Sequence, residues 1–271
     1  MYILAIETTG SVGSVAVTAV PGGSAAAVSG ECPAERGSRI PVEVTTRTMS
    51  HLKNLIPMTE KLLAEEGIDK KDIAAVAASA GPGSFTGIRI GVSTARALSQ
   101  AWDVPCMSVP SLEQFKPVYM ERAGYDTGDD PVCVIFNARR GQVYGACFSA
   151  DGTALIEPGP YMLADMLTRI ETLRIRPVFY GDGVDAYFDK EEFSERVSGY
   201  RTAHPEQRYQ TAVLTAAYAE KLWSEGKGLQ GYGELLPDYM RESEAEQRLK
   251  DGSLEKMRKA KLERLMKMAG K

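Results

Sequence analysis

The chain has 271 residues, 44% of them hydrophobic and 25% charged, with a formal net charge of −4. That is enough apolar material for one large or two small cores, and it excludes a global basic bias toward nucleic acid or membrane. Cys32, Cys106, Cys133 and Cys147 form no CxxC pair, which excludes a zinc ribbon or dithiol redox motif and predicts reduced thiols in a cytoplasmic protein.

In chain order, residues 1–9 lack a basic region followed by a long apolar run, so no signal peptide is expected. Apolar stretches such as 73–78 are strand-sized, so no membrane span is expected either. Residues 2–7 predict a buried strand, and after a small-residue turn residues 13–20 predict its hairpin partner. Residues 21–41, rich in Gly, Ala and Ser with Pro21, Pro33 and Pro41, predict a long irregular loop. Residues 42–48 alternate apolar and polar types and predict a strand. A helix is predicted over 50–66, with Ser50 as N-cap and Pro57 as a kink. At about 100° per residue, Leu52, Leu55, Ile56, Thr59 and Leu63 share one face of it. A strand over 72–79 then leads through a glycine-rich loop into a helix over 86–102.

From residue 132 the pattern begins again. Residues 132–136 and 142–149 predict a hairpin around Ala138-Arg-Arg-Gly141, with a turn at Asp151-Gly152. A helix is predicted over 160–173, a strand over 177–180 ending in Gly181-Asp-Gly183, and a long helix over 210–225. The expected organisation is two α/β lobes, 1–106 and 107–248, the last helix of the second being free to pack back on the first. Residues 249–271 follow as a basic helical tail: 250–271 hold 8 Lys and Arg against 3 Asp and Glu.

The strand, glycine turn and helix start around residues 79–91 form an arrangement suited to an anion, because backbone N–H groups point outward there. Gly83, Ser84 and Thr86 are its candidate contacts. No Gly-Lys-Ser/Thr is present, and Gly81, Gly83 and Gly87 are one residue off the dinucleotide spacing, so neither standard phosphate loop fits. In the following helix Gly87, Gly91, Ala95 and Ser99 recur at i+4. Such a stripe serves either close packing inside its own lobe or contact with a helix of another subunit. Its two glycines cost about 1 kcal/mol each relative to alanine, which packing or binding must offset. Arg139 and Arg140 offer two cations suited to phosphate or carboxylate, unless they are simply a solvated turn. No histidine lies near Ser84 or Thr86 to serve as a base, and the only histidines, His51 and His204, are too far apart in sequence for a helical metal pair.

Residues 79–98, Ser-Ala-Gly-Pro-Gly-Ser-Phe-Thr-Gly-Ile-Arg-Ile-Gly-Val-Ser-Thr-Ala-Arg-Ala-Leu, resemble the signature of the TsaB family. Four shorter stretches agree in order and spacing: Ile3-Leu-Ala-Ile-Glu-Thr8, Ser50-His51 with Leu55-Ile-Pro57, Ala138-Arg-Arg-Gly-Gln-Val-Tyr144 and Leu236-Pro-Asp-Tyr-Met-Arg241. The resemblance covers about residues 1–245. It implies an α/β fold of two lobes of the actin-like ATPase, ribonuclease H-like type. It also implies a role in making threonylcarbamoyladenosine, beside the anticodon of tRNAs reading ANN codons. There an activated threonylcarbamoyl-adenylate donates its acyl group to the adenosine amine, and the transferase TsaD performs the step. A TsaB-type chain supports it as a scaffold, and a small ATPase, TsaE, joins them.

The resemblance therefore implies no catalytic residue, no metal and no cofactor of the chain's own, and leaves open ATP or ADP at the shared interface. It implies a homodimer in the absence of TsaD and TsaE, and only indirect contact with tRNA. Partner contact is expected on the first two helices of the first lobe, at Leu52, Leu55, Ile56, Thr59, Leu63, Arg89, Val92, Ala95, Arg96 and Ser99. Glu7 stands where actin-like ATPases place an acidic group that manages magnesium, although the family usually has Asp there. It joins Gly83, Ser84, Thr86, Arg139 and Arg140 as a candidate anion or nucleotide contact. The catalytic paralogue has an H-x-x-x-H pair on its first helix, whereas here His51 is followed at i+4 by Leu55. Asn137 and Gln142 stand where the family more often has Asp and Glu. Two rival readings are a self-sufficient acyltransferase or glycoprotease-like hydrolase, and a small-molecule kinase of actin-like fold.

Overall fold

Strand β1 (Tyr2–Glu7) turns back through residues 8–12 into β2 (Gly13–Ala19), antiparallel from Tyr2↔Ala19 to Glu7↔Ser14. The computed structural model describes residues 1–21, 42–45 and 51–240. Residues 22–41 of the loop expected over 21–41, residues 46–48 of the third strand, the Ser50 cap, the side chains of His51 and Leu52, and the tail from 249 lie outside the described residues. Strand β3 (Val42–Thr45) adds antiparallel to β2. Helix α1 (His51–Glu65) leads to β4 (Ile73–Gly81), parallel to β1, and α2 (Phe85–Trp102) leads to β5 (Cys106–Pro110), parallel to β4. The first sheet thus runs β3-β2-β1-β4-β5.

The second sheet repeats that plan. Strands β6 (Val132–Asn137), β7 (Gln142–Phe148) and β8 (Ala154–Met162) form an antiparallel meander. Strands β9 (Val178–Tyr180) and β10 (Arg201–Thr202) add in parallel to β6, giving β8-β7-β6-β9-β10. Helix α4 (Leu163–Leu173) with α5 (Gly183–Tyr187) and α6 (Glu191–Val197) cover one face, packing Leu163, Met166, Leu167, Ile170 and Tyr187 on Cys133, Ile135, Val143 and Cys147. Two lobes of one topology are the actin-like arrangement.

Burial on both faces explains the composition of β4, Ile-Ala-Ala-Val-Ala-Ala-Ser-Ala-Gly, in which every residue is buried. Val76, Ala78 and Ala80 face α1 and α2, where they meet Leu55, Leu62, Ile88 and Val92. Ala75 and Ala77 face the other way, onto helix α7 (Ala212–Ser224) and its Ala212, Ala216, Ala217 and Ala219. The last helix therefore lies on the first sheet. Strand β11 (Leu229–Gln230) follows it and pairs with β5 at that sheet's edge.

Two expectations need correction. The boundary expected at 106/107 falls at the start of β5, so residues 107–110 belong to the first sheet and not to the second lobe. After them come a single 3-10 turn, Glu113–Phe115, and helix α3 (Pro117–Arg122). The helix expected over 160–173 begins only at Leu163, because Pro158 and Pro160 sit in β8, an edge strand with no outer neighbour to want their missing N–H. Both sheets belong to one compact unit, Met1–Asp238. No helix among the described residues is long and apolar enough to cross a membrane.

Candidate functional site

At the carboxyl end of β1, Glu7 is fully buried, and both of its carboxylate oxygens are engaged within the chain. Oε1 accepts from the Thr9 backbone N–H (2.5 Å) and the Thr9 hydroxyl (2.6 Å), and Oε2 accepts from Gln114 Nε2 (3.1 Å). Gln114 Oε1 in turn accepts from the Thr215 hydroxyl on α7 (2.9 Å). Ser111 Oγ donates to Thr9 Oγ1 (3.4 Å) and pairs with Ser79 Oγ (2.8 Å). A buried charge needs such donors. Those that reach Glu7 come from the turn after β1 and from the 3-10 turn after β5, while Ser79 of β4 and Thr215 of α7 extend the network at this end of the sheet. A Cβ on Gly10 would run into the buried Gln210 side chain, so Gln210 closes the turn between β1 and β2 from above.

The glycine loop is bound to this same turn. Ser84 N–H donates to Thr9 O (2.7 Å), and Ser84 Oγ accepts from Gly87 N–H (3.3 Å), capping α2. A Cβ on Gly83 would stand 2.6 Å from Thr9 O. The outward N–H groups expected for an anion are, at Ser84 and Gly87, spent on the protein itself. Thr86 is exposed on the first turn of α2. Gly81–Pro82 is a cis peptide bond. Glu7, Gly83 and Ser84 are therefore brought together through Thr9, with Glu7 buried, Gly83 half-buried and Ser84 exposed. Gln114 and Thr215 complete the Glu7 network without any local signal in the sequence, being roughly 100 to 200 residues from Glu7.

The small stripe resolves toward the first of its two readings. Gly87, Gly91, Ala95 and Ser99 are all buried against their own lobe. Thr8 Oγ1 donates to Gly87 O (2.7 Å), and a Cβ on Gly87 or Gly91 would collide with Thr8. Of the expected partner contacts, Leu55, Thr59 and Leu63 on α1 and Val92, Ala95 and Ser99 on α2 point into the core, because the apolar face of an amphipathic helix seeks its own sheet first. A charge placed at Ala95 would test folding, not docking. The outward surface of the touching α1–α2 pair carries Ile56, 41% exposed, together with Phe85 and Arg89, and the half-buried Arg96 beside them. The Arg89 guanidinium lies 4.0 Å over the Phe85 ring.

Arg139 and Arg140 are exposed at the tip of the β6–β7 hairpin, in the second lobe. The turn closes with Gln142 N–H on Arg139 O (3.0 Å), and Arg139, Arg140 and Gly141 have φ of 65°, 54° and 75°. Asn137 Oδ1 accepts from Arg139 N–H (2.8 Å) and from the Tyr187 hydroxyl (3.0 Å), while Asn137 N–H donates to Asp182 Oδ1 (2.9 Å). An amide therefore carries the polar network where the family more often has a carboxylate. Burial pushes the Asp182 carboxyl above its ordinary value, opposed by the Asn137 N–H and reinforced by the charge of Asp185. His204 is exposed near Glu206. Among the described residues no three His, Cys, Asp or Glu side chains gather as metal ligands do.

The comparisons agree with this architecture. Residues 43–193 match the family model described as TsaD, tRNA N6-adenosine threonylcarbamoyltransferase. The tRNA threonylcarbamoyladenosine biosynthesis protein TsaB of Bacillus subtilis is 30% identical over 207 residues, which is 75% of this chain and 85% of that one. The protein of the same name from Escherichia coli is 34% identical over 101 residues, 37% of this chain and 42% of that one. Among solved structures, YeaZ from Pseudomonas aeruginosa superposes with a TM-score of 0.60 at 20% identity, covering 88% of this chain and 99% of that one, and so shares the fold.

Proposed function

Because the chain belongs to the TsaB family, we propose that it is the non-catalytic docking subunit of an assembly that transfers a threonylcarbamoyl group to the adenosine beside the anticodon of tRNAs reading ANN codons. The observation that carries this reading is the closed state of the Glu7 site. Glu7 stands where an actin-like ATPase would offer an acidic group to a nucleotide-bound metal, and here it is buried with each oxygen already holding donors from Thr9 or Gln114. The rival reading as a small-molecule kinase requires that site to be open, and the reading as a self-sufficient acyltransferase or hydrolase is what the incubation below tests.

Docking falls to the outward faces of α1 and α2, which expose Ile56 on one and Phe85 and Arg89 on the other, with Arg96 half-buried, residue types suited to an interface. The partner there is the transferase, joined by the small ATPase, and in their absence a second copy of this chain takes the same surface. ATP or ADP used by the assembly sits at the interface shared with the transferase. A docking subunit of this kind acts by favouring the transferase's active conformation, and only its differential contact with that state can do so.

The test is to incubate the purified chain with threonylcarbamoyl-adenylate and unmodified tRNA. Product is expected only once the transferase is added, and turnover by the chain alone would overturn the reading.

A further inference from the structure

Over residues 203–211 the chain crosses back from β10 in the second sheet to helix α7 on the first. The two ends of this crossing are held by different lobes. On the second-lobe side, Ala203 N–H donates to Phe179 O (2.9 Å) and Gly181 N–H donates to Arg208 O (2.7 Å). There Asp185 also accepts from the Arg208 guanidinium and from the Tyr209 hydroxyl, the latter at 2.5 Å. On the first-lobe side, Ala212 N–H donates to Ser14 Oγ (2.8 Å). Gln210 stands between the two sets of anchors and is 1% exposed. Its side chain lies so close to Gly10 that a Cβ there would overlap the amide.

This contact fills space without satisfying the amide. Gln210 Oε1 is buried and accepts no hydrogen bond. A buried acceptor without a donor bears its full desolvation penalty, which an apolar side chain of the same length would avoid. Packing on Gly10 and hydration of the amide therefore oppose one another, and the contact is a weak latch. What it holds is the turn of residues 8–12, and that turn holds the start of α2. Thr9 O accepts from Ser84 N–H (2.7 Å), and Thr8 Oγ1 donates to Gly87 O (2.7 Å). Phe85 and Arg89 are exposed on the first turns of the same helix. Contacts thus run without a gap from Asp185 in the second lobe, through residues 208–210, to Gly10 and on to α2.

We propose that Gln210 is a two-state latch between the lobes, seated on Gly10 or withdrawn into water, and that docking of the transferase on α2 favours the seated state. This rests on the docking reading and extends it, by naming the element through which docking at one lobe is felt at the crossing to the other. A two-state element that both sites bias is what coupling between them requires, and the coupling is reciprocal.

The experiment is hydrogen–deuterium exchange read by mass spectrometry on the full chain, free and assembled with the transferase, in peptides covering residues 203–212 and 8–12. In the wild type, assembly is expected to slow exchange over 203–212 by about tenfold. Gln210→Ala removes the contact with Gly10, so it should still co-purify with the transferase but lose that slowing. Gln210→Met keeps the bulk and removes the unpartnered oxygen, so in the free chain it should slow exchange over both peptides by about tenfold. Normal assembly with unchanged exchange over 203–212 in the wild type would overturn the proposal and leave the docking reading standing. Slowing that persists in Gln210→Ala would overturn it too, because the transferase would then cover that segment itself. A folded Gln210→Ala that no longer assembles would place Gln210 in the docking surface and overturn the latch. Equal or faster exchange in free Gln210→Met would do the same. If urea unfolding shows that Gln210→Ala does not fold, the wild-type and Gln210→Met measurements decide. A wild-type chain that fails to assemble with the transferase would overturn the docking reading, and with it the proposed coupling, whatever Gln210→Met shows in the free chain.

Discussion

Gly87 faces the Thr8 carbonyl so closely that a methyl group has no room, and the obstacle is backbone, which cannot swing aside. Helix propensity alone would make Gly87→Ala stabilising by about 1 kcal/mol. Overpacking against Thr8 should reverse the sign, with a loss of about 2–3 kcal/mol in urea unfolding. A more stable variant would mean that α2 does not approach β1 as described. The thiols offer a second test at this scale. Cys106, Cys133 and Cys147 are buried, and burial pushes the Cys106 and Cys133 thiols up. A raised thiol yields less thiolate at any given pH, so neither should react with iodoacetamide at about pH 8 while the chain is folded. Both should react once urea unfolds it, and mass spectrometry of the tryptic peptides would show labelling in the native state if this burial is wrong. The signature residues 79–91 were legible as a motif, but their use was not. Thr8 and Thr9, some 70 residues away, decide whether the loop's donors face outward, and no local pattern encodes that.

Helix α1 shows how far an amphipathic pattern can be taken. Leu55, Thr59 and Leu63 were expected on one face and are on one face, but it is the face turned to the sheet. Ile56 falls just off it and is exposed. Leu55→Ala should therefore cost about 2–5 kcal/mol of stability, whereas Ile56→Glu should leave the urea midpoint within about 0.5 kcal/mol and weaken co-purification with the transferase. If Ile56→Glu leaves assembly intact, the outward surface of α1 is not the docking surface. Strands β1, β2 and β4 and helix α2 were legible because burial on one or both faces dictates their residues over six or more positions. Strands β10 and β11, two residues each, and the short helices α5 and α6 were not, since so few residues carry no period. Strand β8 was misread for a different reason: Pro160 is compatible with both a helix start and an edge strand, and only the sheet's order distinguishes them.

For the molecule as a whole, the strand orders β3-β2-β1-β4-β5 and β8-β7-β6-β9-β10 repeat one plan in two lobes. At the carboxyl end of β1 in the first lobe, Gln114 holds Glu7, and Gln210 packs on Gly10. Under the proposed reading, the polar groups around Glu7 serve the protein's own packing and the chain acts through its surface. That conclusion needed three elements distant in sequence to be seen together, which is why residue types alone left enzyme and scaffold both open. The central claim is that this chain supports a transferase without acting as one, and reconstitution measures it most directly. Threonylcarbamoyladenosine formation on a tRNA reading an ANN codon would be followed with the transferase, the small ATPase and threonylcarbamoyl-adenylate, with and without this chain. The account expects the rate to rise by at least about tenfold when the chain is added, equivalent to a barrier lowered by roughly 1.4 kcal/mol. An equal rate in its absence would contradict it.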